Sequence, residues 1–286
     1  MAMDSIVTER HVMQTSRSEK ILQLIDKSGF GLEIGPSYNP IAAKRDGWNV
    51  EIVDHLDAES LRAKYAAWNV DPSAIEDVDY LVDGRGLFAA IGEENRFDFI
   101  LASHIIEHMP DICQFLIDCE RLLKPAGVLS LVVPDKRFCF DVFKPLTTTG
   151  QILQAHLERR TRHTPGTVFD AHALHATSAG SLVWPGDRRP SELAFAHSLR
   201  EAKRIMDEYA ERGEYLDVHA WQFVPTSFEM VMQDLLELEV IGLAIVSSFD
   251  TAGHEFFVSL RKGETPARRS AADRMALARL VADDSV

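Results

Sequence analysis

Three side chains that can exchange protons lie close together in the segment SHIIEHMPD, residues 103–111. They are His104, Glu107 and His108. Because the ordinary pKa of an imidazole lies near neutral pH, either histidine could take a proton from a hydroxyl group, and Glu107 could orient its ring. The alternative is that Glu107 and His108 only brace the start of a helix, and the sequence leaves both interpretations open.

A second group of polar residues follows short apolar segments upstream. Glu33 and Gly35 end the first segment, and Asp54 ends the next one, nineteen residues after Gly35. This spacing is close to the one at which dinucleotide-binding folds place an acid on the ribose hydroxyls. The alternative is that Gly35 only permits a tight turn and Asp54 only caps a helix.

The loop that follows Gly35 reads GPSYNP and lacks the further glycines of a dinucleotide turn. A pyrophosphate needs such glycines, because the backbone must approach it closely, so Ser37, Tyr38 and Asn39 make a dinucleotide a poor fit. A nucleoside without phosphates would need only Gly35, a diol acceptor such as Asp54 and an acceptor for an exocyclic amine, for which Asp83 is suitably placed at the end of the third segment.

The elements that must position these residues alternate between apolar segments and helical patterns. A helix is predicted from about 17 to 27, with Ser16 and Glu19 as a capping box, and another over 111–123. The predicted strands are 30–34, 50–54, 79–83, 97–103 and 127–134. Alternating strands and helices predict an α/β fold: a doubly wound, Rossmann-like, mostly parallel sheet whose ligands lie beyond the carboxyl ends of the strands.

The C-terminal part departs from this alternation. After a helical pattern that begins at Pro225, two strands over 240–249 and 254–262 are separated by only four residues and are predicted to form an antiparallel pair. Residues 141–220 are mixed in character and are interpreted as an inserted lid that covers the ligand edge. We therefore predict one domain over 1–286, with a core of 16–140 and 221–262, the lid, and a tail of 263–286 that could form a final helix.

Composition excludes several classes of protein. The net charge of −14 and the lack of a dense basic segment argue against a nucleic-acid partner. No apolar segment has the length of a signal peptide or a membrane span, which predicts a cytoplasmic enzyme. The three cysteines, without C-x-x-C spacing, indicate neither disulfides nor a cysteine zinc site.

Taken in order, these pieces resemble the class I S-adenosylmethionine-dependent methyltransferases, especially the type 11 methyltransferase domains. The resemblance covers about residues 20–135 and 220–262, but not the lid, and rests on LEIGPSYNP, VEIVDHLD, YLVDGRG, FDFILASHIIEHMPD, LLKPAGVLSLVVPD and the closing strand pair. The loop departs from the family, which more often has G-x-G-x-G.

The resemblance implies S-adenosylmethionine as the cofactor and a role for each matching position. Glu33 and Gly35 would flank the methionine moiety, with Ser37 or Asn39 supplying polar groups. Asp54 would bind the ribose, Asp83 and Gly84 would meet the adenine, and Ser103 and His104 would line the floor of the cofactor site.

Two further features of the lid region raise alternatives. Four side chains could serve as metal ligands: His172, His175, Asp217 and His219. Packing or surface positions explain these residues more simply, and we predict no metal site. The arginines could meet a phosphate or carboxylate of the acceptor, or be ordinary solvated charges; they are Arg159, Arg160, Arg162, Arg188 and Arg189.

The predicted function is methyl transfer from S-adenosylmethionine to a hydroxyl of a small molecule or glycan precursor. His104 or His108 would serve as the base, with Glu107 beside it. The alternatives are a nicotinamide-dependent oxidoreductase and a non-catalytic module that binds the same cofactor. A homodimer is left open.

Overall fold

The fold is known from a computed structural model that describes residues 16–82, 84, 86–185, 192–263 and 269–284. Its main sheet has seven strands. In chain order the strands are β1 Gly31–Ile34, β2 Val50–Asp54, β3 Tyr80–Leu81, β4 Phe97–Ser103, β5 Leu123–Pro134, β6 Ala176–Thr177, β7 Ala194–Phe195, β8 Leu243–Ala252 and β9 Glu255–Lys262. A separate two-stranded sheet is formed by β6 and β7.

The topology confirms the predicted fold class. The order across the main sheet is β3-β2-β1-β4-β5-β9-β8. The pairs from β3 through β5 are parallel, and β9 pairs antiparallel with both β5 and β8. The sheet is therefore mostly parallel and closes with the predicted C-terminal antiparallel pair.

Helices cover both faces of the sheet and fill the region between β5 and β8. In chain order they are α1 Arg17–Ile21, α2 Ala58–Tyr65, α3 Leu87–Ile91, α4 Ile112–Leu122, α5 Thr149–Leu157, α6 Pro165–Ala173, α7 Leu199–Arg212, α8 Pro225–Glu237 and α9 Ala271–Asp284. Strands with a helix layer on each side are apolar on both faces, and all four residues of β1 are buried.

The first helix is shorter than predicted. The capping box of Ser16 and Glu19 is present, but α1 ends at Ile21 instead of continuing to residue 27. Asp26 accepts hydrogen bonds from the backbone and side chain of Ser28, and Gly29 N–H donates to the Asp26 carbonyl. These bonds form a turn over residues 26–29, so the last part of the predicted helix is a turn instead.

The helix before β5 agrees closely with the prediction. It begins after Asp111, whose side chain accepts from Gln114 N–H, and its buried stripe includes Ile112, Phe115 and Leu116. The third strand, by contrast, is only two residues long, and Asp83 lies outside the described residues. The β4–β5 ladder places Ser103 opposite Val132, so residues 104–108 leave the sheet at its carboxyl edge.

Residues 141–220 build a region with its own small core. It holds α5, α6, the β6–β7 pair and α7, and its buried residues include Val168, Ala171 and Tyr209. It returns to the sheet edge where Ala220 N–H donates to the Glu107 carbonyl. That it serves as an acceptor-binding lid stays a prediction.

The remaining expectations concern the tail, the cysteines and membranes. The tail forms α9, which packs on α8, and Cys113, Cys119 and Cys139 are free and buried. Within the described part of the chain, none of the helices combines the length and apolar character needed to cross a bilayer. The cytoplasmic location and the homodimer stay predictions.

Candidate functional site

The carboxyl ends of three neighbouring strands form one crevice. Because β1 lies between β2 and β4, the residues that end them, Gly35, Asp54 and Ser103, are brought to the same edge of the sheet. Gly35 N–H also donates to the Val53 carbonyl at 2.8 Å, which ties the first turn to β2. The sequence prediction that these strand ends converge is confirmed.

Gly35 is required by its conformation and by its neighbour. Its φ is +61°, in the left-handed region, and a Cβ there would lie 2.7 Å from Cδ1 of Ile105. The turn after β1 is therefore in direct contact with the segment after β4. This contact connects the cofactor crevice to the histidines that follow Ser103.

The loop after Gly35 offers one polar atom without a partner. Ser37 has a φ of +52°, and its buried Oγ makes no hydrogen bond within the described part of the chain. Tyr38 packs edge-on against Tyr65 with ring centroids 5.0 Å apart, and Asn39 is exposed. A buried hydroxyl without a partner fits a loop that meets a polar ligand.

Glu33 holds this loop in place. It is buried, and its two carboxylate oxygens accept from Ile41 N–H at 2.7 Å and Ala42 N–H at 3.0 Å. Burial outweighs these hydrogen bonds and raises the pKa of Glu33 to about 7. The structure thus assigns this carboxylate a contact with the loop backbone, and the predicted contact with a methionine moiety stays a prediction.

Asp54 ends β2 as a buried carboxylate at the crevice. Its Oδ1 accepts from His55 N–H at 2.7 Å and lies 2.5 Å from His55 Nδ1. The N-cap of the next helix, α2, is Asp57, whose side chain accepts from Ser60 N–H. Asp54 is therefore not the cap of α2, and its contact with a ribose stays a prediction.

The adenine side of the predicted site is only partly described. Asp83 lies outside the described residues, whereas Gly84 is exposed with a φ of +86°. Val82 N–H donates to the Asp54 carbonyl at 3.0 Å, so the chain that leads to these two positions starts beside Asp54. Their predicted contacts with adenine stay predictions.

Two charged residues at the crevice were missed by sequence reasoning. Arg17 donates to Ser103 Oγ at 2.9 Å and to Glu255 Oε1 at 2.6 Å. Arg17 and Glu255 are separated by 238 positions, so no spacing pattern could have paired them. The contact places a guanidinium against the end of β4.

Beyond Ser103, one carboxylate is surrounded by three imidazoles. Glu107 is fully buried, and neither of its oxygens has a hydrogen-bond partner among the described residues. Its Oε1 lies 3.4 Å from His104 Nδ1, 3.9 Å from His108 Nε2 and 3.9 Å from His219 Nε2. We call Glu107 and these three histidines the Glu107 cluster.

His104 stands between two carboxylates in a strained backbone. Its φ is +54°, which is uncommon for a residue other than glycine, and its Nε2 lies 2.8 Å from Glu255 Oε2. Burial lowers the pKa of His104, but Glu107 and Glu255 outweigh it and raise that pKa to about 9. The ring is therefore protonated at neutral pH, and a protonated imidazole cannot accept a further proton.

The other two imidazoles are each held by a carboxylate at Nδ1. Asp217 lies 2.8 Å from His108 Nδ1, and Asp141 lies 2.6 Å from His219 Nδ1. Burial would raise the pKa of Asp141, yet His219 and the buried Lys144, whose Nζ is 2.6 Å from Asp141 Oδ1, bring it to about 2. With Nδ1 occupied, both rings present Nε2 towards Glu107.

Sequence reasoning found part of this cluster. It named His104, Glu107 and His108, which the structure brings together, and it noted Asp217 and His219 only as metal candidates. Asp141 was missed. The other candidates, His172 and His175, lie beside His197 in the lid region, with ring centroids 5.3 and 5.9 Å from it.

A cavity of about 490 Å³ adjoins the cluster and shares His219 with it. It lies between α5, the start of α6 and the segment that carries His219. Its walls combine polar residues, among them Lys144, Thr147, Gln151, His163, Asp170 and Gln222, with the apolar Pro110, Pro145 and Trp221. The cavity gives His219 two neighbours, the Glu107 carboxylate and a space large enough for a small molecule.

Comparison with known proteins gives a family match over most of the chain. A family model described as "Methyltransferase domain" matches residues 10–209, which includes most of the predicted lid. That span is well over half of the 286 residues.

Curated relatives match shorter parts of the chain, and solved structures match it at lower sequence identity. Ubiquinone biosynthesis O-methyltransferase from Pasteurella multocida is 36% identical over 61 residues, 21% of this chain and 25% of the relative. The protein of that name from Histophilus somni is 26% identical over 128 residues, 45% of this chain and 51% of the relative. The matches thus span from a quarter to about half of these relatives' length.

Among solved structures, the Burkholderia thailandensis 1,6-didemethyltoxoflavin-N1-methyltransferase has bound 1,6-didemethyltoxoflavin and S-adenosylhomocysteine. It is 13% identical, with a TM-score of 0.42, over 86% of this chain and 76% of that one.

Proposed function

The chain belongs to the methyltransferase domain family, and from this premise we propose that it transfers a methyl group from S-adenosylmethionine to a hydroxyl group of a small polar molecule. Family membership decides against the nicotinamide-dependent oxidoreductase considered from the sequence. The observation that carries the hydroxyl acceptor is the Glu107 cluster, because it sets proton-accepting groups beside the crevice formed by the strand ends.

The residues of the crevice fit the cofactor. Asp54 is a buried carboxylate suited to two vicinal ribose hydroxyls, and Gly35 lets the backbone approach a ligand without a Cβ. The buried Ser37 Oγ and the Arg17 guanidinium supply a hydroxyl and a positive charge for an amino-acid tail. When bound, S-adenosylmethionine supplies an electrophilic methyl group on a positively charged sulfur.

The cluster has one histidine that is better suited than its neighbour to take the hydroxyl proton. Despite burial, Glu107 and Glu255 raise the pKa of His104 to about 9, and Asp217 and Glu107 raise the pKa of His108 as well. Asp217 holds Nδ1 of His108, which leaves Nε2 as the atom that can accept a proton. We therefore propose His108 as the base of the metal-free protein and His104 as a positioning residue fixed by Glu255.

The acceptor is inferred from the cavity beside His219. Its lining offers several hydrogen-bonding side chains beside apolar surface, which suits a hydroxylated molecule such as a glycan precursor. Asp170 in the wall could accept from such hydroxyls. The curated relatives carry the name of O-methyltransferases, which supports oxygen as the methylated atom over nitrogen.

The test is a methyl-transfer assay with the full chain, in which release of S-adenosylhomocysteine is measured across sugars, sugar nucleotides, catechols and amines. We expect turnover with a hydroxylated acceptor and none with amines. In Asp170→Asn the KM for that acceptor should rise about tenfold, because a charge-assisted hydrogen bond contributes roughly 1.5 kcal/mol or more, while affinity for S-adenosylhomocysteine stays the same. Asp207→Asn, on the exposed face of α7, is the matched control.

Two outcomes would contradict the proposal. Tight binding of S-adenosylhomocysteine without turnover on any acceptor would favour the non-catalytic module. Turnover on amines alone would contradict the hydroxyl acceptor and leave the family assignment intact.

A further inference from the structure

The Glu107 cluster contains a set of atoms that match a metal site. One ligand atom each of Glu107, His108 and His219 lies within 4.8 Å of the other two. The two Nε2 atoms are both 3.9 Å from Glu107 Oε1. In a tetrahedral site with bonds of about 2.1 Å, ligand atoms are about 3.4 Å apart, so small side-chain movements would close this set around an ion.

The outer contacts of the two histidines are those of metal ligands. Metal-bound histidines almost always donate their second ring N–H to a carboxylate or a carbonyl, which fixes the tautomer and the ring. Here Asp217 is 2.8 Å from Nδ1 of His108, and Asp141 is 2.6 Å from Nδ1 of His219. Both lone pairs at Nε2 are thereby directed at the same carboxylate.

Glu107 is buried with the His104 ring as an ionic neighbour but without a hydrogen bond in the described part of the chain. It is 0% exposed, and neither oxygen has a hydrogen-bond partner among the described residues. A buried carboxylate is normally hydrogen-bonded, ion-paired or bound to a metal. The Nε2 atoms of His108 and His219 are each 3.9 Å from Glu107 Oε1, distances that an ion could bridge.

The local charges favour a bound cation. With neutral imidazoles at His108 and His219, the carboxylates of Glu107, Asp141 and Asp217 face the single ammonium of Lys144. The protonated His104, 3.4 Å from Glu107, adds a second positive charge, so one negative charge remains, and a bound cation would neutralise it. The competing arrangement is that His108 and His219 are themselves protonated and no ion binds.

We propose that Glu107, His108 and His219 bind one divalent transition-metal ion, with Zn²⁺ as the best match, beside the methyl-transfer crevice. Two imidazoles and one carboxylate form a ligand set typical of Zn²⁺ sites that keep an open position. Mg²⁺ and Ca²⁺ prefer oxygen ligands and are disfavoured. The prediction of no metal site, made from the sequence, is replaced by this proposal.

The open position would bind the acceptor hydroxyl, and this step rests on the proposed function. Zn²⁺ held there would lower the pKa of a coordinated hydroxyl, whose proton would pass to solvent. The oxygen would then bond to the methyl carbon while the methyl–sulfur bond breaks and S-adenosylhomocysteine leaves. In the loaded protein Nε2 of His108 is a ligand, and the ion replaces that histidine as the group that activates the hydroxyl. His219 lines the cavity, which brings the ion to the acceptor side.

The test begins with calorimetric titration of ZnCl₂ into the full chain after chelator treatment and dialysis. We expect one Zn²⁺ per chain. Affinity should fall about 100-fold in His219→Ala and in Glu107→Gln, and about tenfold in Asp141→Asn through the lost outer contact. The matched control is His172→Ala, a lid histidine whose Nδ1 contacts the Val168 carbonyl and which lies outside the cluster; it should bind like the wild type.

A second measurement keeps the result independent of folding and of activity. Co²⁺ substituted for Zn²⁺ should give the visible absorption of a four-coordinate site in the wild type and in His172→Ala, and lose it in His219→Ala while circular dichroism stays unchanged. Absence of Zn²⁺ binding in the wild type, or equal affinity in wild type and His219→Ala, would overturn the metal site.

Methyl transfer separates the two proposals. If chelator-treated protein methylates a hydroxyl at the full rate, the metal does not activate the acceptor, and the proposed function stands. If the Zn²⁺-loaded protein binds the ion but methylates no acceptor, the metal site stands and the proposed function fails.

Discussion

The cofactor crevice and the Glu107 cluster meet at the carboxyl end of β4, but different spans of sequence build them. Gly35, Ser37 and Asp54 lie within twenty residues of one another and are positioned by two adjacent parallel strands. The Glu107 cluster joins residues 104–108 to His219, with Asp141 and Asp217 behind it. The first is a local motif, and the second depends on how the lid region returns to the sheet.

The difference shows in how the buried polar groups are satisfied. In the crevice, Glu33 is held by backbone N–H groups of its own loop. In the cluster, side chains that are far apart in sequence hold one another, and Glu107 is left without a hydrogen-bond partner among the described residues. We therefore expect changes in the cluster to affect both stability and chemistry, and changes in the crevice to act mainly on cofactor binding.

The largest effect on stability is expected from Asp141→Asn. The change leaves the buried Lys144 ammonium without its counter-charge and loosens His219, which should lower the free energy of unfolding by about 3 kcal/mol. Urea denaturation measures this loss. The exposed pair of Lys203 and Asp207 is the control, since Asp207→Asn should cost at most about 0.5 kcal/mol. An equal loss of unfolding free energy in the two variants would show that the buried ion pair contributes no more to stability than the exposed pair.

The next effect concerns the contact that joins the two regions. In Gly35→Ala a left-handed backbone and a Cβ placed 2.7 Å from Ile105 Cδ1 should cost about 2 kcal/mol of stability. Gly47→Ala is the matched control, because Gly47 also has a positive φ but open space around it, and should cost about 1 kcal/mol. Thermal unfolding compares them, and an equal loss would mean that Ile105 moves freely away from the turn.

A change confined to the crevice should spare stability and affect binding. In Asp54→Ala the ribose hydroxyls lose a buried acceptor, so affinity for S-adenosylhomocysteine should fall about 30-fold. The control is Asp57→Asn, three positions after Asp54, which keeps a side chain able to cap α2 and should bind S-adenosylhomocysteine normally. Calorimetry measures both, and unchanged affinity in Asp54→Ala would remove Asp54 from the cofactor site.

The smallest effect is a pH dependence that belongs to the crevice. The pKa of Glu33 is raised by burial to about 7, with Glu76 adding to the shift and Arg17 opposing it. Below that pKa the folded state keeps a proton that the unfolded state releases, so stability falls as pH rises, by about 1 kcal/mol between about pH 5 and pH 6.

In Glu33→Gln this slope should disappear, because the amide does not ionise, whereas Glu59→Gln on α2 should retain it. Urea midpoints at several pH values measure the slope. A variant that keeps the full pH dependence would show that another group is responsible for it.

Much of the fold could be predicted from the sequence because its signals are local. Apolar runs that end in polar residues gave the exact bounds of β2 and β4, and the interval between β8 and β9 indicated their antiparallel pairing. The length of α1 could not be predicted, since the apolar pattern continues past Ile21, where the helix ends. The order of the strands across the sheet also required the structure.

The residues of the candidate site also fall into those that local sequence signals predicted and those that required the structure. The sequence by itself determined Gly35, Asp54 and the segment 103–108, because strand ends of a parallel sheet converge on one edge whatever the remainder of the chain does. Only the tertiary structure decided that His219 and Asp141 complete the Glu107 cluster and that Arg17 meets Ser103 and Glu255. Such contacts join residues up to 238 positions apart, and they follow from the packing of whole elements, which no local pattern of residues encodes.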